Sequence, residues 1–235
     1  MRYMIRYMLQ DYIRTYSFVP PVLLFIIWTI VSYTYVPNPV FDSFAIACAA
    51  LYLIVAWLAI TLMDTEELVQ QQITMLHANS YVKVFSAKIL SILFLAALLS
   101  LFAVIYPLII GAFNRSVTVL DCFIAFMSLI LISLLSISIA VFFSRAFHSR
   151  TLSSWLLLAL ILVVSLVRSG IENVLPDSFA LVTWVLPPSF MILDILGEET
   201  IKLGPITLLK WLYVIAYSVL LFYIFLKVKV RKGLY

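Results

Sequence analysis

Charge is what this sequence has least of. Asp, Glu, Lys and Arg supply 11% of its 235 residues, and hydrophobic side chains supply 65%. A soluble globular chain carries about 25% charged residues, so a water-covered surface of ordinary composition is excluded. Glycine is nearly as scarce, with Gly111, Gly170, Gly197, Gly204 and Gly233 as the whole supply. Neither a G-x-G-x-x-G turn nor a G-x-x-x-x-G-K-[ST] phosphate loop can be assembled from them. A G-x-S-G serine-protease motif fails as well, because Ser169-Gly170 follows Val167-Arg168. Two cysteines, Cys48 and Cys122, lie in or beside apolar runs and provide neither a disulfide framework nor a metal site. The two histidines, His77 and His148, fall in separate loops without the paired spacing of a zinc site. No nucleophile–base constellation is left to support an intramembrane enzyme.

What the chain has instead is long apolar runs. Residues 18–36, 43–63, 89–113, 122–144 and 151–167 contain no Lys, Arg, Asp or Glu. A spanning helix needs roughly 17–25 such residues, so each run qualifies. A sixth, 205–226, opens on Pro205, suited to a helix start, and holds only Lys210, whose stem can snorkel to the interface. The first run follows seventeen mixed residues and lacks a cleavage site, so it is expected to be retained as a span. The expected fold is therefore all-α, with six transmembrane helices in a single domain over 1–235.

The basic residues orient these spans. With the N-terminus inside, Arg2, Arg6, Arg14, Lys83, Lys88, Arg145, Arg150, Lys227, Lys229, Arg231 and Lys232 face the cytoplasm. Arg115, Arg168, Lys202 and Lys210 are left outside. Eleven against four satisfies the positive-inside rule and places both termini in the cytoplasm. The net charge of +4 is thus accounted for by topology, with no nucleic-acid partner expected. The apolar stretch 178–196 interrupts the pattern. As a full span it would put the basic tail outside and Pro187-Pro188 mid-helix, at about 3 kcal/mol or more for each proline. A re-entrant hairpin turning at Pro187 and Pro188, within an extracellular segment 169–204, satisfies both constraints. An amphipathic loop on the outer surface is the alternative.

Spans this free of charge argue against an ion-coupled secondary carrier, which needs intramembrane carboxylates or cations to hold its coupling ion. In the fourth span Ser133, Ser136, Ala140 and Ser144 recur at steps of three and four, a stripe that lets helices approach closely.

Two segments outside the spans carry a pattern. In residues 1–17, Met1, Met4, Ile5, Met8, Leu9, Tyr12, Ile13 and Tyr16 share one helical face. Arg2, Arg6, Gln10 and Arg14 recur on the other. This predicts a helix in the interface plane, its arginines toward anionic headgroups. The longest cytoplasmic loop, 64–88, predicts a helix over 65–77 with Glu66 and Glu67 in its first turn. Leu68, Ile73 and Leu76 mark its apolar side; Glu67, Gln70, Gln71 and Thr74 mark its polar side, and His77 closes it. Asn79-Ser80 breaks the helix and Ser80 caps the next one. Such a helix is suited to docking in a partner's groove, or to resting on headgroups.

In this layout the chain resembles the permeases of type-2 ABC exporters, the ABC-2 membrane family. That family has an amphipathic N-terminal helix, six spans with both ends inside, a coupling helix between spans two and three, and re-entrant helices outside between spans five and six. Its loop commonly runs acid-acid, Gly-Thr-Leu-Glu, several leucines, Pro-Val-Ser and a later Gly-Lys. Glu66-Glu67, Ser80 and Ala87-Lys88 match it, whereas Val69-Gln70-Gln71-Gln72 and Ala78-Asn79 depart from it. The resemblance implies a transport subunit without catalytic residues or a cofactor of its own. Two separate ATPase subunits would carry ATP and Mg, and a second permease copy or paralogue would complete the pathway. Coupling would fall to Glu66, Glu67, Leu68, Gln71, Ile73, Thr74, Leu76 and His77. The implied cargo is hydrophobic or amphipathic, a peptide or lipid-like molecule, and the implied location is the bacterial cytoplasmic membrane. A stand-alone immunity or sensor protein for an antimicrobial peptide is the alternative.

Overall fold

The computed structural model describes residues 2–78, 80–144, 151–167, 187–197 and 204–232. Among these residues the regular structure is helical throughout, as expected for an all-α membrane protein. In chain order the helices are α1 (Arg2–Arg14), α2 (Val19–Ser32), α3 (Val40–Met63), α4 (Leu68–Ala78) and α5 (Tyr81–Ile109). They are followed by α6 (Val119–Ala140, with a 3-10 turn Val141–Phe143), α7 (Thr151–Leu166), α8 (Ser189–Leu196) and α9 (Pro205–Lys232). Four of them, α3, α5, α6 with its extension, and α9, are long and apolar enough to cross a membrane. A fifth is added if α1 and α2, which meet at 82°, count as one bent span. The expected first and fifth spans are shorter as helices than as apolar runs: α2 has 14 residues and α7 has 16. At the α1–α2 corner Tyr16 takes a positive φ of 54°, and Pro20 lies in the first turn of α2, where its missing N–H costs nothing.

The core is built around α3 and α6, which pack against each other more extensively than any other pair. The small-residue stripe explains this. Ser133, Ser136, Ala140 and Ser144 are all buried, and Ser136 Oγ donates to the Tyr52 carbonyl of α3 at 2.5 Å. Helix α6 starts on a capping box: the Asp121 amide donates to Thr118 Oγ1 at 3.2 Å, and the Thr118 amide to Asp121 Oδ2 at 3.0 Å.

The helices alternate in direction, so connections collect at two ends. At one end the Asn38 amide donates to Ala112 O at 2.8 Å and the Asn114 amide to Asn38 O at 2.9 Å. This joins the α2–α3 and α5–α6 connections. At the other end lie α1, the α3–α5 connection and the last turns of α9. Phe225 stacks edge-on to Phe85 at 5.3 Å, and Lys229 sits 5.8 Å above the same Phe85 ring. Asn38 and Asn114 therefore share one end of the bundle, and α1, the α3–α5 connection and the end of α9 share the other.

Candidate functional site

The α3–α5 connection is built on charge that the fold buries. Helix α3 ends at Met63, leaving carbonyls without intrahelical partners. Lys88, in the second turn of α5, fills that position: its Nζ donates to Met63 O at 3.2 Å. The same ammonium meets Glu66 Oε2 at 2.8 Å, and the two side chains are 0% and 1% exposed. The other Glu66 oxygen lies 3.2 Å from Thr74 Oγ1 of α4, whose single proton is shared between it and Gln70 O at 3.0 Å. One buried ion pair thus joins the end of α3, the linker, α4 and α5. Ser80 caps α5 as expected, accepting from the Lys83 amide at 3.4 Å.

The predicted acids are placed differently from the expectation. Helix α4 begins at Leu68, so Glu66 and Glu67 precede its first turn. Glu67 is exposed and its carbonyl accepts from the Gln71 amide at 2.8 Å, while Glu66 turns inward because Lys88 offers it a counter-charge. The faces of α4 are also rotated from the predicted ones. Gln71 is buried, and Met75, one turn on, packs partly buried against the core. Val69, Ile73 and Leu76 point outward at helical spacing, with Leu76 79% and Ile73 52% exposed. The side chain of Leu68 lies outside the described residues. His77 is exposed and donates from Nδ1 to Ile73 O at 2.9 Å, within its own helix.

Helix α1 sits beside this site. Met8 and Tyr12 are buried; Tyr12 Oη lies 2.6 Å from Thr61 Oγ1 of α3, and Gln70 Nε2 of α4 donates to Tyr7 Oη at 3.4 Å. Arg2, Arg6 and Arg14 are exposed on the side away from the bundle contacts, as the amphipathic pattern requires. Part of the expected lipid-facing stripe, Met8 and Tyr12, therefore faces protein.

A second polar cluster lies at the middle of α3. Tyr52 Oη is 3.0 Å from Ser165 Oγ, near the end of α7, and Ser189 Oγ, at the start of α8, donates to Ser165 O at 2.8 Å. Helix α7 therefore ends, and α8 begins, level with the midpoint of the longest-packed helix. Pro187 and Pro188 are buried at the N-terminus of α8, and Ser189, Ile192, Ile195 and Leu196 are buried against the surrounding helices. Asp194 of α8 pairs with Lys210 of α9 at 2.5 Å. The first half of the expected hairpin, 178–186, and His148 lie outside the described residues.

Among the described residues no cluster of three or more His, Cys, Asp or Glu side chains is arranged to hold a metal. Sequence reasoning missed Lys88 as a buried partner, Val69 as part of the outward stripe, and Met75 as the anchor of α4. The available signal was the presence of acids at the start of the loop and of Lys88 at its end, where the apolar run begins. Comparison with family models, curated proteins and solved structures returns no match.

Proposed function

We propose that this chain is the membrane subunit of an ATP-driven exporter of the ABC-2 type, with six spans and both termini in the cytoplasm of a bacterial cell. Two copies, or one copy and a paralogue, would enclose the pathway. Two ATPase subunits would bind beneath, carrying the ATP and Mg that this chain has no loop to hold. The observation that carries the proposal is α4. It is a short helix held between two spanning helices, at the end shared with α1 and the C-terminal turns of α9, presenting Val69, Ile73 and Leu76 outward. Exposed apolar side chains at helical spacing are the anchors that a partner's groove takes up. Helices α7 and α8 meeting at mid-height support the re-entrant reading of the segment before α9, since interrupted backbone at membrane depth is tolerated when buried in protein. Neutral, aliphatic span surfaces favour a hydrophobic peptide or lipid-like cargo.

The test is co-purification from detergent with the product of a neighbouring reading frame bearing a phosphate-binding loop, followed by ATP turnover in liposomes. Truncating Val69, Ile73 and Leu76 together to Ala is expected to weaken ATPase binding by about 100-fold or more, because each Leu-sized anchor contributes roughly 1.5–3 kcal/mol when buried. Absence of any bound ATPase from the wild-type complex would overturn the exporter and favour the stand-alone immunity protein. Retention of the ATPase by the triple variant would keep the exporter and remove α4 as its dock.

A further inference from the structure

A buried ion pair is a poor device for stability, because desolvation cancels most of its attraction and apolar side chains of similar volume do as well or better. Lys88 and Glu66 are nevertheless 0% and 1% exposed. What the pair offers and an apolar pair lacks is direction. The Lys88 ammonium donates to the last carbonyl of α3, a position favoured by the negative end of the helix dipole, and forms an ion pair with Glu66. Glu66 accepts in turn from Thr74, two turns into α4. Displacing α4 from α5 would break the Thr74–Glu66 contact and pull on a linker whose Glu66 cannot leave Lys88 without separating two charges in a site that water does not reach, so small sliding adjustments are opposed.

We infer that Glu66 and Lys88 are positioning residues that make α4 move as one body with α5 and the end of α3. A push on α4 is thereby delivered to two spans instead of being absorbed in the linker. The consequence for transport rests on the exporter reading above; the rigid-body coupling itself does not. The contrast within α4 fits this role. One side is fixed by Glu66–Thr74 and by buried Gln71 and Met75, and the other is left free to take up a partner.

The experiment uses the full chain in liposomes, with native Cys48 and Cys122 replaced by Ala and Ser. Spin labels at Gln72 of α4 and Leu90 of α5 report the inner distance; labels at Asp42 and Leu120 report the opposite end. The wild-type background is expected to give one narrow distance peak for each pair. The double variant Glu66→Leu/Lys88→Met is expected to unfold at the same temperature or higher, to lose the narrow inner peak and to keep the outer one. A stable double variant that keeps the inner peak would overturn the proposal. If that variant does not fold, Glu66→Gln decides, since it keeps the side-chain shape and an acceptor for Thr74. An inner peak lost with the outer one kept supports the role. Both peaks kept, or both lost, overturns it: the pair is then either dispensable or a requirement for folding. Failure to find a partner ATPase would leave these distances unchanged, so the two readings fail separately.

Discussion

Two ion pairs of the same length, 2.8 Å, hold the two ends of this bundle, and they do so in opposite settings. At the Asn38 end, Arg115 meets Asp121 with the arginine side chain 42% exposed and its guanidinium 5.2 Å above the Phe41 ring. Around it the connections are joined through backbone hydrogen bonds between Asn38, Ala112 and Asn114. At the α4 end, the Lys88–Glu66 pair is sealed from solvent and is itself the joint between elements. Water can replace a lost partner at the first end and cannot at the second. The comparison teaches that equal geometry does not mean equal consequence: the surface pair decorates a connection that the backbone already makes.

The sharpest way to break that contrast is Glu66→Ala, which leaves the Lys88 ammonium buried without a counter-charge. An uncompensated buried charge costs about 3–5 kcal/mol, so the unfolding temperature in detergent should fall by the largest margin of any single change considered. A fall no greater than that caused by removing Arg115 would erase the distinction between the ends. Between the ends, Ser136→Leu should cost about 1–3 kcal/mol, because it forces a large side chain into the α3–α6 contact and removes the hydrogen bond to Tyr52 O. Thermal unfolding measures it, and an unchanged midpoint would mean that α3 and α6 have room to spare. The smallest effect is expected from Arg115→Ala, about 1 kcal/mol or less, since the arginine is largely in water and the buried Asp121 keeps its bonds with Thr118. High salt should mimic this variant and leave the Glu66 effect intact.

The parts legible in the sequence were those set by local periodicity. The helix over α1, the Ser133–Ser136–Ala140–Ser144 stripe and the Ser80 cap all depend on neighbours within a turn or two, and each is found; α8 starts just after Pro188, and the preceding half of the expected hairpin lies outside the described residues. What depended on distant partners was misread. Lys88 counts by the positive-inside rule as one of the loop's cations, and nothing local in the sequence marks its side chain as buried. Its counter-charge stands 22 positions earlier, and only the folded loop brings the two together. The same pairing turns Glu66 inward, while Ile73 and Leu76 face outward with Val69, which the sequence pattern does not single out. Span length failed for a different reason. An apolar run records which residues tolerate lipid, while the helix within 18–36 stops at Ser32, short of Pro37 and Pro39, and α7 fills 151–167 to within one residue.

The unequal lengths of the helices have a consequence for the lipid around them. At 1.5 Å per residue, α5 with 29 residues rises about 44 Å, whereas α2 and α7, with 14 and 16, rise only about 21 and 24 Å. A typical hydrocarbon core is about 30 Å thick, so one flank of the molecule is overlong and another is short by several ångströms. The long helix can tilt. Beside the short ones the bilayer must thin, or draw polar headgroups inward, at fractions of a kcal/mol per ångström of mismatch. The mismatch has opposite signs at the two flanks, so no single bilayer thickness suits both, and thermal stability in vesicles of graded acyl-chain length is expected to peak where the two costs balance.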